Sequence, residues 1–171
     1  SGPSLYSDDL GKTWTPFAGA TVPWPDDKGG AQGIIAKGNI FLAIKGSGDT
    51  ILRSADGGAT WTSHPLGVGR PEGRSFCLSV VNGEFWVTGK NAKASADGIT
   101  WRDQPASTPG GRIAQSDKGT LVSVSRSRNI VLRSEDGVAW QEVYRFTPPA
   151  GATGGAQGLA DVEFGKVRAV R

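Results

Sequence analysis

Short apolar runs, separated by turns rich in Gly, Ser and Asp, make up most of the chain. The run Asn39-Ile40-Phe41-Leu42-Ala43-Ile44 is typical, and similar runs recur along the sequence. No stretch shows the apolar period of about 3.6 residues that an amphipathic helix requires. The pattern therefore predicts an all-β chain of short strands.

One turn occurs four times, each time between two apolar runs, and we call it the Ser–Asp turn. Its second copy reads Ser54-Ala55-Asp56-Gly57-Gly58-Ala59-Thr60-Trp61. The Ser, Asp, Gly and Trp positions of the four copies are Ser7, Asp9, Gly11 and Trp14; Ser54, Asp56, Gly58 and Trp61; Ser95, Asp97, Gly98 and Trp101; and Ser134, Asp136, Gly137 and Trp140. Each copy is predicted to close a β-hairpin.

The residue types of the Ser–Asp turn suit this role. The Asp carboxylate can accept hydrogen bonds from backbone N–H groups one or two residues further on, and Gly takes the left-handed φ that other residues resist. The Ser hydroxyl can bond across the mouth of the hairpin, and Thr begins the returning strand. The Trp ring is expected to fold back over the hairpin with its N–H near a carbonyl. Ala139 replaces Thr in the fourth copy, so we expect that hairpin to be the loosest.

The four Trp residues of the turns are spaced by 47, 40 and 39 residues. Such periods are typical of β-propellers, in which each repeat is one four-stranded antiparallel blade. The sequence predicts a single propeller domain over residues 1–171. Its four blades are expected at about 30–66, 71–105, 111–147, and 155–171 plus 1–20.

The last blade is predicted to be divided between the two chain ends. Gly155–Ala160 repeats Gly30–Ile35 closely, and Lys166–Arg171 resembles a second strand. Pro3–Ser7 and the residues after the first Ser–Asp turn supply the other two strands. Such a split blade closes a ring and removes exposed edge strands. A four-bladed monomer is favoured because joining one chain's own ends costs less entropy, and the alternative is an eight-bladed dimer with exchanged ends.

The Ser–Asp turn resembles the Asp-box, or bacterial neuraminidase repeat, of the sialidase-like β-propellers. The resemblance implies that these hairpins are structural and lie on the face away from any active site. The best-known enzymes of this family are sialidases. They bind a substrate carboxylate with three arginines and use a Tyr–Glu pair as nucleophile and an Asp as acid/base. Arg112-Ile113-Ala114 is similar to the family's Arg-Ile-Pro start without the Pro, and Arg74 could be a second arginine. Neither Tyr6 nor Tyr144 is placed to act as the nucleophile, so a sialidase-type glycoside hydrolase is disfavoured.

The sequence also lacks the residue patterns of several common catalytic and ligand-binding sites. His64 is the single histidine and follows a Ser–Asp turn on an outermost strand, so a Ser-His-Asp arrangement is not expected. No nucleotide-binding or metal-binding motif occurs, and we predict no enzyme activity, no cofactor and no metal. Cys77 is the single cysteine, no membrane span or signal peptide is evident, and the Ser-Gly-Pro start without Met suggests a domain cut from a larger protein.

Loops on the face opposite the Ser–Asp turns are expected to carry the ligand site. Because strand direction alternates, the starts of the innermost strands, the loops between the second and third strands and the connections between blades share that face. The candidate ligand-binding residues there are Arg74, Arg112, Gln32, Gln157, Trp24, Arg126 and Arg128. The acidic residues of the Ser–Asp turns fall on the other face, so one face is predicted to be distinctly basic and to favour an anionic ligand.

Other interpretations of these residues stay open. Arginines and lysines are usually solvated surface residues, and Asp26, Asp27, Asp49 and Glu72 should dilute the basic face. Trp24 can anchor a loop instead of touching ligand, and the two glutamines can bond each other or water. The propeller channel can also hold an ion on backbone carbonyls, which a sequence does not reveal.

The sequence thus favours a non-catalytic binding module for a glycan or another anionic surface group. Its parent would be a surface, secreted or virion protein such as a phage tail, which places it extracellularly. The alternative is a protein–protein scaffold. Nucleic acid is disfavoured as a partner because the basic residues are not interleaved with aromatic ones, and no membrane insertion is expected.

Overall fold

The computed structural model describes residues 5–6, 12–16, 33–44, 48–68, 76–89, 91–125, 128–147, 162 and 164. Within these residues the chain forms fourteen β-strands and no helix. They make one two-stranded hairpin and three antiparallel four-stranded sheets, in which the strands are ordered as in the sequence. The prediction of an all-β fold built from four-stranded antiparallel blades is confirmed.

The strands, in chain order, group into a hairpin and three blades. The N-terminal hairpin contains β1 (Leu5–Tyr6) and β2 (Thr15–Pro16). The first blade contains β3 (Gly33–Lys37), β4 (Ile40–Ile44), β5 (Thr50–Ser54) and β6 (Thr62–Pro65). The second blade contains β7 (Cys77–Val81), β8 (Glu84–Thr88), β9 (Lys93–Ser95) and β10 (Arg102–Asp103). The third blade contains β11 (Ile113–Gln115), β12 (Leu121–Ser125), β13 (Ile130–Ser134) and β14 (Gln141–Arg145).

Local sequence explains how the strands are joined. The β7–β8 hairpin turns through Asn82 and Gly83, whose φ angles are 50° and 74°. An Asn-Gly pair with two positive φ angles is the preferred chemistry of a two-residue hairpin turn, because its twist matches that of the strands. Between β13 and β14 the register shifts at Val131/Leu132, a bulge that bends the outermost strand.

Neighbouring blades pack face to face around their innermost strands, with β3 beside β7 and β7 beside β11. The core between the first and second blades consists of Leu42, Ile44, Ile51, Leu66, Val68, Phe76, Leu78, Phe85 and Val87. A smaller core between the second and third blades consists of Val81, Trp86, Ala94, Ile113 and Leu121. Burial of these side chains is the main force that holds one blade on the next.

Hydrogen bonds reinforce the contacts between blades. Lys37 of the first blade donates from Nζ to the carbonyls of Gly83 and Ala96, both at 2.8 Å, and lies over the Phe85 ring. Arg53 donates to the Asp97 carbonyl at 2.7 Å. The first and second blades are therefore joined at the edge where the Ser–Asp turns lie.

The predicted ring closure falls largely on residues that the structure does not describe. The N-terminal hairpin is present, with Leu5 paired to Pro16 and Tyr6 to Thr15, as expected for the third and fourth strands of the split blade. The two strands predicted in 155–171 lie outside the described residues. A closed four-bladed monomer and an eight-bladed dimer both remain predictions.

The described residues contain no helix with the length and apolar character needed to cross a bilayer.

Candidate functional site

Three of the four Ser–Asp turns are described in full, and the third shows their common geometry. Ser95 Oγ accepts a hydrogen bond from the Gly98 N–H at 2.8 Å and donates to the Asp97 carboxylate at 2.9 Å. The same carboxylate accepts the N–H groups of Ile99 and Thr100 at 2.8 and 2.9 Å. Ser and Asp thus satisfy the backbone of the turn from within, as predicted, although the Ser hydroxyl bonds inside the turn rather than across the hairpin mouth.

The second turn has a bond that is not found in the third and fourth turns. Asp56 accepts both the N–H of Thr60, at 2.9 Å, and its hydroxyl, at 2.6 Å. These donors lie four residues beyond the Asp, and those of the third and fourth turns lie two and three beyond it. The expected spacing of one or two residues holds for Ile99 and Val138 and is too short for the remaining donors, Thr60, Thr100 and Ala139.

The fourth turn keeps the backbone bonds despite its substitution. Asp136 accepts the N–H groups of Val138 and Ala139, both at 2.8 Å, and Ser134 Oγ accepts that of Gly137 at 2.9 Å. Ala139 therefore removes no hydrogen bond that the third turn has. The geometry gives no support to the expectation that the fourth hairpin is the loosest.

These bonds keep the turn carboxylates ionised. Hydrogen bonds from the Thr60 hydroxyl and N–H hold the pKa of Asp56 well below its usual range. Bonds from the backbone of Ile99 and Thr100 lower the pKa of Asp97 to about 2. Bonds from the backbone of Ala139 and Val138 lower the pKa of Asp136 in the same way. A carboxyl group that donates a proton in catalysis has a raised pKa. The pKa values of these carboxyl groups are lowered instead, because the ionised form accepts hydrogen bonds from within the turn.

The Trp residues of the turns differ from one another. The indole N–H groups of Trp61 and Trp140 donate to the carbonyls of Gly58 and Gly137 at 2.9 and 3.1 Å, as predicted. The N–H of Trp101 is buried without an acceptor among the described residues, although its ring packs on the core of the first and second blades. Trp14 is 60% exposed, and Ser7, Asp9 and Gly11 of its turn lie outside the described residues, so the folding of its ring over the first hairpin stays a prediction.

Of the predicted ligand-binding residues, the structure describes Arg112 and Arg128. Arg112 is exposed and directly precedes β11, and Arg128 is exposed in the turn between β12 and β13. Both therefore lie at strand ends opposite the Ser–Asp turns, as the topology predicted. The other candidates, Gln32, Trp24, Arg74, Arg126 and Gln157, lie outside the described residues, as do Ser7, Asp9 and Gly11 of the first turn.

Among the described residues, both faces carry charged side chains of both signs. On the side of the Ser–Asp turns, cations accompany the acids at Lys37, Arg53, Arg102 and Lys118. The Arg102 guanidinium forms a two-point ion pair with Glu84 and holds the pKa of that carboxyl below its usual range. On the opposite side, Asp103 adds an exposed carboxylate. The prediction of one distinctly basic face depends largely on residues outside the described ones, Arg74 and Arg126 among them, and stays a prediction.

The described residues also form a polar cleft that the sequence did not indicate. It lies at the outer rim of the second blade, where β9 begins and β10 ends, and has a volume of about 370 Å³. Its lining residues are Asn91, Ala92, Asp103, Gln104, Pro105, Ala106 and Thr108. Its volume falls at the lower end of the range for small-ligand sites, about 300–1,000 Å³.

Side chains suited to catalysis are not brought together in the described part of the chain. His64 lies on β6, the outermost strand of the first blade, and its Nε2 is 2.9 Å from the Thr62 hydroxyl. Tyr144 lies on β14 and is 54% exposed. In the same residues, no group of three or more His, Cys, Asp or Glu side chains could hold a metal ion.

The family to which the sequence belongs agrees with this fold. The DUF6242 beta propeller domain matches residues 12–151, which is most of the chain. This chain belongs to that family. No curated protein matches the sequence.

Solved structures with similar folds include YCF48 bound to D1 peptide, with a TM-score of 0.56 and 22% identity over 81% of this chain and 47% of that one. Virginiamycin B lyase from Staphylococcus aureus has a TM-score of 0.54 and 18% identity over 74% of this chain and 44% of that one. A streptogramin B lyase has a TM-score of 0.55 and 19% identity over 80% of this chain and 45% of that one. The chain thus spans about half the length of these structures. Because two of the proteins are lyases, the fold itself is compatible with catalysis.

Sequence reasoning missed the cleft because its walls come from two loops that approach only in the fold. Asn91 and Asp103 belong to no repeated motif. A weak signal was present, since the segment from Gln104 to Arg112 is longer than a tight connection and contains polar and turn-forming residues. Loops of this kind often carry binding residues.

Proposed function

We propose that this β-propeller domain is a non-catalytic binding module whose ligand contacts the face opposite the Ser–Asp turns. The preferred ligand is a glycan or another anionic surface group. The observation that carries the proposal is the pair of exposed arginines, Arg112 and Arg128, at strand ends on that face. Arginine is well suited to such a ligand because its planar guanidinium can bind carboxylate or sulfate with two parallel hydrogen bonds.

The internal bonding of the Ser–Asp turns supports this choice of face. Their hydroxyls and carboxylates are already occupied by backbone N–H groups, so they present few free groups to a ligand. We further propose that these turns are Asp-boxes of the sialidase-like type, in which the hairpins are structural and lie away from the site. A surface or virion protein is then the expected parent of the domain.

A glycan array that includes sialylated and sulfated sugars tests the proposal. We expect binding that is weakened at least tenfold in the double variant Arg112→Ala, Arg128→Ala, because hydrogen bonds to charged groups contribute about 1.5–3 kcal/mol each. The matched control is Lys118→Ala, Arg133→Ala, which removes the same charge from the other side and should leave binding unchanged. Equal affinity in both double variants would contradict the assignment of the site.

A protein–protein scaffold is the second candidate, and β14 favours it. All five residues of this outermost strand are exposed, including Val143 and Tyr144, and apolar residues of this kind at an edge strand can serve as a docking surface. YCF48, which has a similar fold, was solved with a bound peptide. Under this candidate the array would be negative, and a partner identified by pull-down would lose affinity for the variant Val143→Lys, Tyr144→Lys while still binding the Arg112→Ala, Arg128→Ala variant.

A further inference from the structure

The polar cleft of the second blade has walls that are fixed by hydrogen bonds. The Gln104 N–H donates to the Ala92 carbonyl at 2.9 Å, which extends the β9–β10 pairing into one wall. The Thr108 N–H donates to the Pro105 carbonyl at 2.9 Å and closes the turn that forms the other wall. The cleft is thus largely formed before any ligand arrives, which lowers the entropic cost of binding.

The turn that forms the second wall is also anchored to the third blade. The Ser107 hydroxyl donates to the Val138 carbonyl at 2.8 Å, and Pro109, just beyond the turn, is buried. The cleft therefore sits on a supported loop between two blades. Sites held on such rigid elements keep their geometry when a ligand binds.

Asp103 is the charged residue among the described lining residues, and its charge is neutralised by a neighbour outside the lining. The Asp103 carboxylate, whose side chain is 79% exposed, pairs with the Lys93 ammonium at 2.6 Å. An anionic ligand would meet the carboxylate, and a cationic ligand would gain little from a carboxylate that Lys93 already neutralises. The pair therefore disfavours both kinds of charged ligand and favours a neutral one.

The remaining groups of the lining indicate which neutral ligand fits. Asn91 and Gln104 carry carboxamides, each of which offers both donors and acceptors, and Asp103 adds an acceptor. A hydroxyl group donates and accepts at once, so several neighbouring hydroxyls match this mixture. Ala92, Pro105 and Ala106 supply small apolar surfaces suited to the C–H groups of a sugar ring.

We propose that the cleft binds a neutral, hydroxyl-rich ligand the size of one or two sugar rings. The described lining residues include no aromatic side chain on which a ring could stack, so hydrogen bonds supply the specificity. The inference stands independently of the arginine site, because Arg112 and Arg128 do not line the cleft. The cleft would add a second, uncharged class of ligand on the face opposite the Ser–Asp turns.

Titration of the isotope-labelled chain with neutral sugars, followed by amide NMR, tests this proposal. The probes are galactose, mannose, N-acetylglucosamine and cellobiose as free sugars, and a soluble β-glucan to distinguish a polymer from a free sugar. We expect saturable shifts at the amides of 91–92 and 103–108 with at least one of them. The variant Asn91→Ala, Gln104→Ala should weaken this binding about tenfold, since each lost hydrogen bond contributes about 0.5–1.5 kcal/mol.

Two further variants sharpen the test. Gln141→Ala removes an exposed carboxamide from β14, outside the cleft, and should change nothing. Asp103→Asn should let a sulfated sugar enter the cleft, because the repelling carboxylate is gone while Lys93 stays. An absence of shifts at the cleft with every neutral sugar, or stronger binding of sulfated than neutral sugars at the cleft of the unaltered chain, would overturn the proposal. Shifts confined to the surroundings of Arg112 and Arg128 would do the same while leaving the proposed function intact.

Discussion

The two ends of the second blade use polar residues in opposite ways. At one end, the Ser–Asp turn directs the hydroxyl of Ser95 and the carboxylate of Asp97 onto its own backbone. At the other end, the carboxamide of Asn91 and the carboxylate of Asp103 face an open cleft. The Asp97 carboxylate accepts donors of its own turn, whereas the Asp103 carboxylate accepts from Lys93 and, with its side chain 79% exposed, keeps acceptor capacity for a ligand.

The largest expected effect is at the turn end, on removal of the Trp101 ring. This ring packs on the core between the first and second blades, so Trp101→Ala should lower the free energy of unfolding by about 3–5 kcal/mol, as for other large-to-small core changes. Chemical denaturation measures the loss. Trp14→Ala is the matched control, because its ring is 60% exposed and its removal should cost less than about 0.5 kcal/mol. Equal losses of unfolding free energy in the two variants would mean that the Trp101 ring does not stabilise the packing of the blades.

A smaller effect is expected from a single methyl group in the same turn. Gly98 has a φ of +77°, and a Cβ there would lie 2.6 Å from Leu42 Cδ2 of the first blade. Gly98→Ala should therefore cost about 2–5 kcal/mol, from backbone strain of about 1–2 and crowding of about 1–3.

Gly38→Ala separates the two causes. Gly38 has a φ of +57° with nothing within 4 Å of its Cβ position, so the variant should show backbone strain alone, about 1–2 kcal/mol. Denaturation of both variants measures the difference. If Gly38→Ala were as destabilising as Gly98→Ala, Gly98 would be required for its backbone conformation and not for the packing of the blades.

The contrast between the two ends also explains what the sequence could predict. Ser95, Asp97 and Gly98 act within one short segment, so their spacing alone indicates the turn and its bonds. The contact of Gly98 with Leu42 and the approach of Asn91 to Gln104 depend on how distant segments pack, which no local pattern contains. Strand positions were predictable for the same local reason.

The stability of the folded chain at low pH should show whether the hydrogen bonds to the Asp97 carboxylate stabilise the fold. Its pKa in the folded chain is about 2, below the ordinary value of 3.8, because backbone N–H groups bind the ionised form. A lowered folded pKa gives stability that is fully present above 3.8 and is lost as pH falls toward 2. We therefore expect the melting temperature of the unaltered chain to exceed that of Asp97→Asn near neutral pH, with a gap that narrows below pH 4. A gap that stays constant down to pH 2 would contradict this role, and Asp117→Asn, on an exposed turn, is the control.

The smallest expected effect concerns the one turn that lacks Thr. Thr60 in the second turn donates its hydroxyl to Asp56 at 2.6 Å, whereas Ala139 has no hydroxyl to offer Asp136. The fourth turn has the spacing of the third, in which Asp97 accepts the N–H of Thr100 and not its hydroxyl, so Ala139→Thr should raise the melting temperature slightly through strand propensity alone. Ala139→Val is the control, because it adds a similar β-branched side chain without the hydroxyl. A gain shared by both variants would assign the effect to strand propensity, whereas a gain confined to Thr would show that the hydroxyl–carboxylate bond stabilises the Ser–Asp turn.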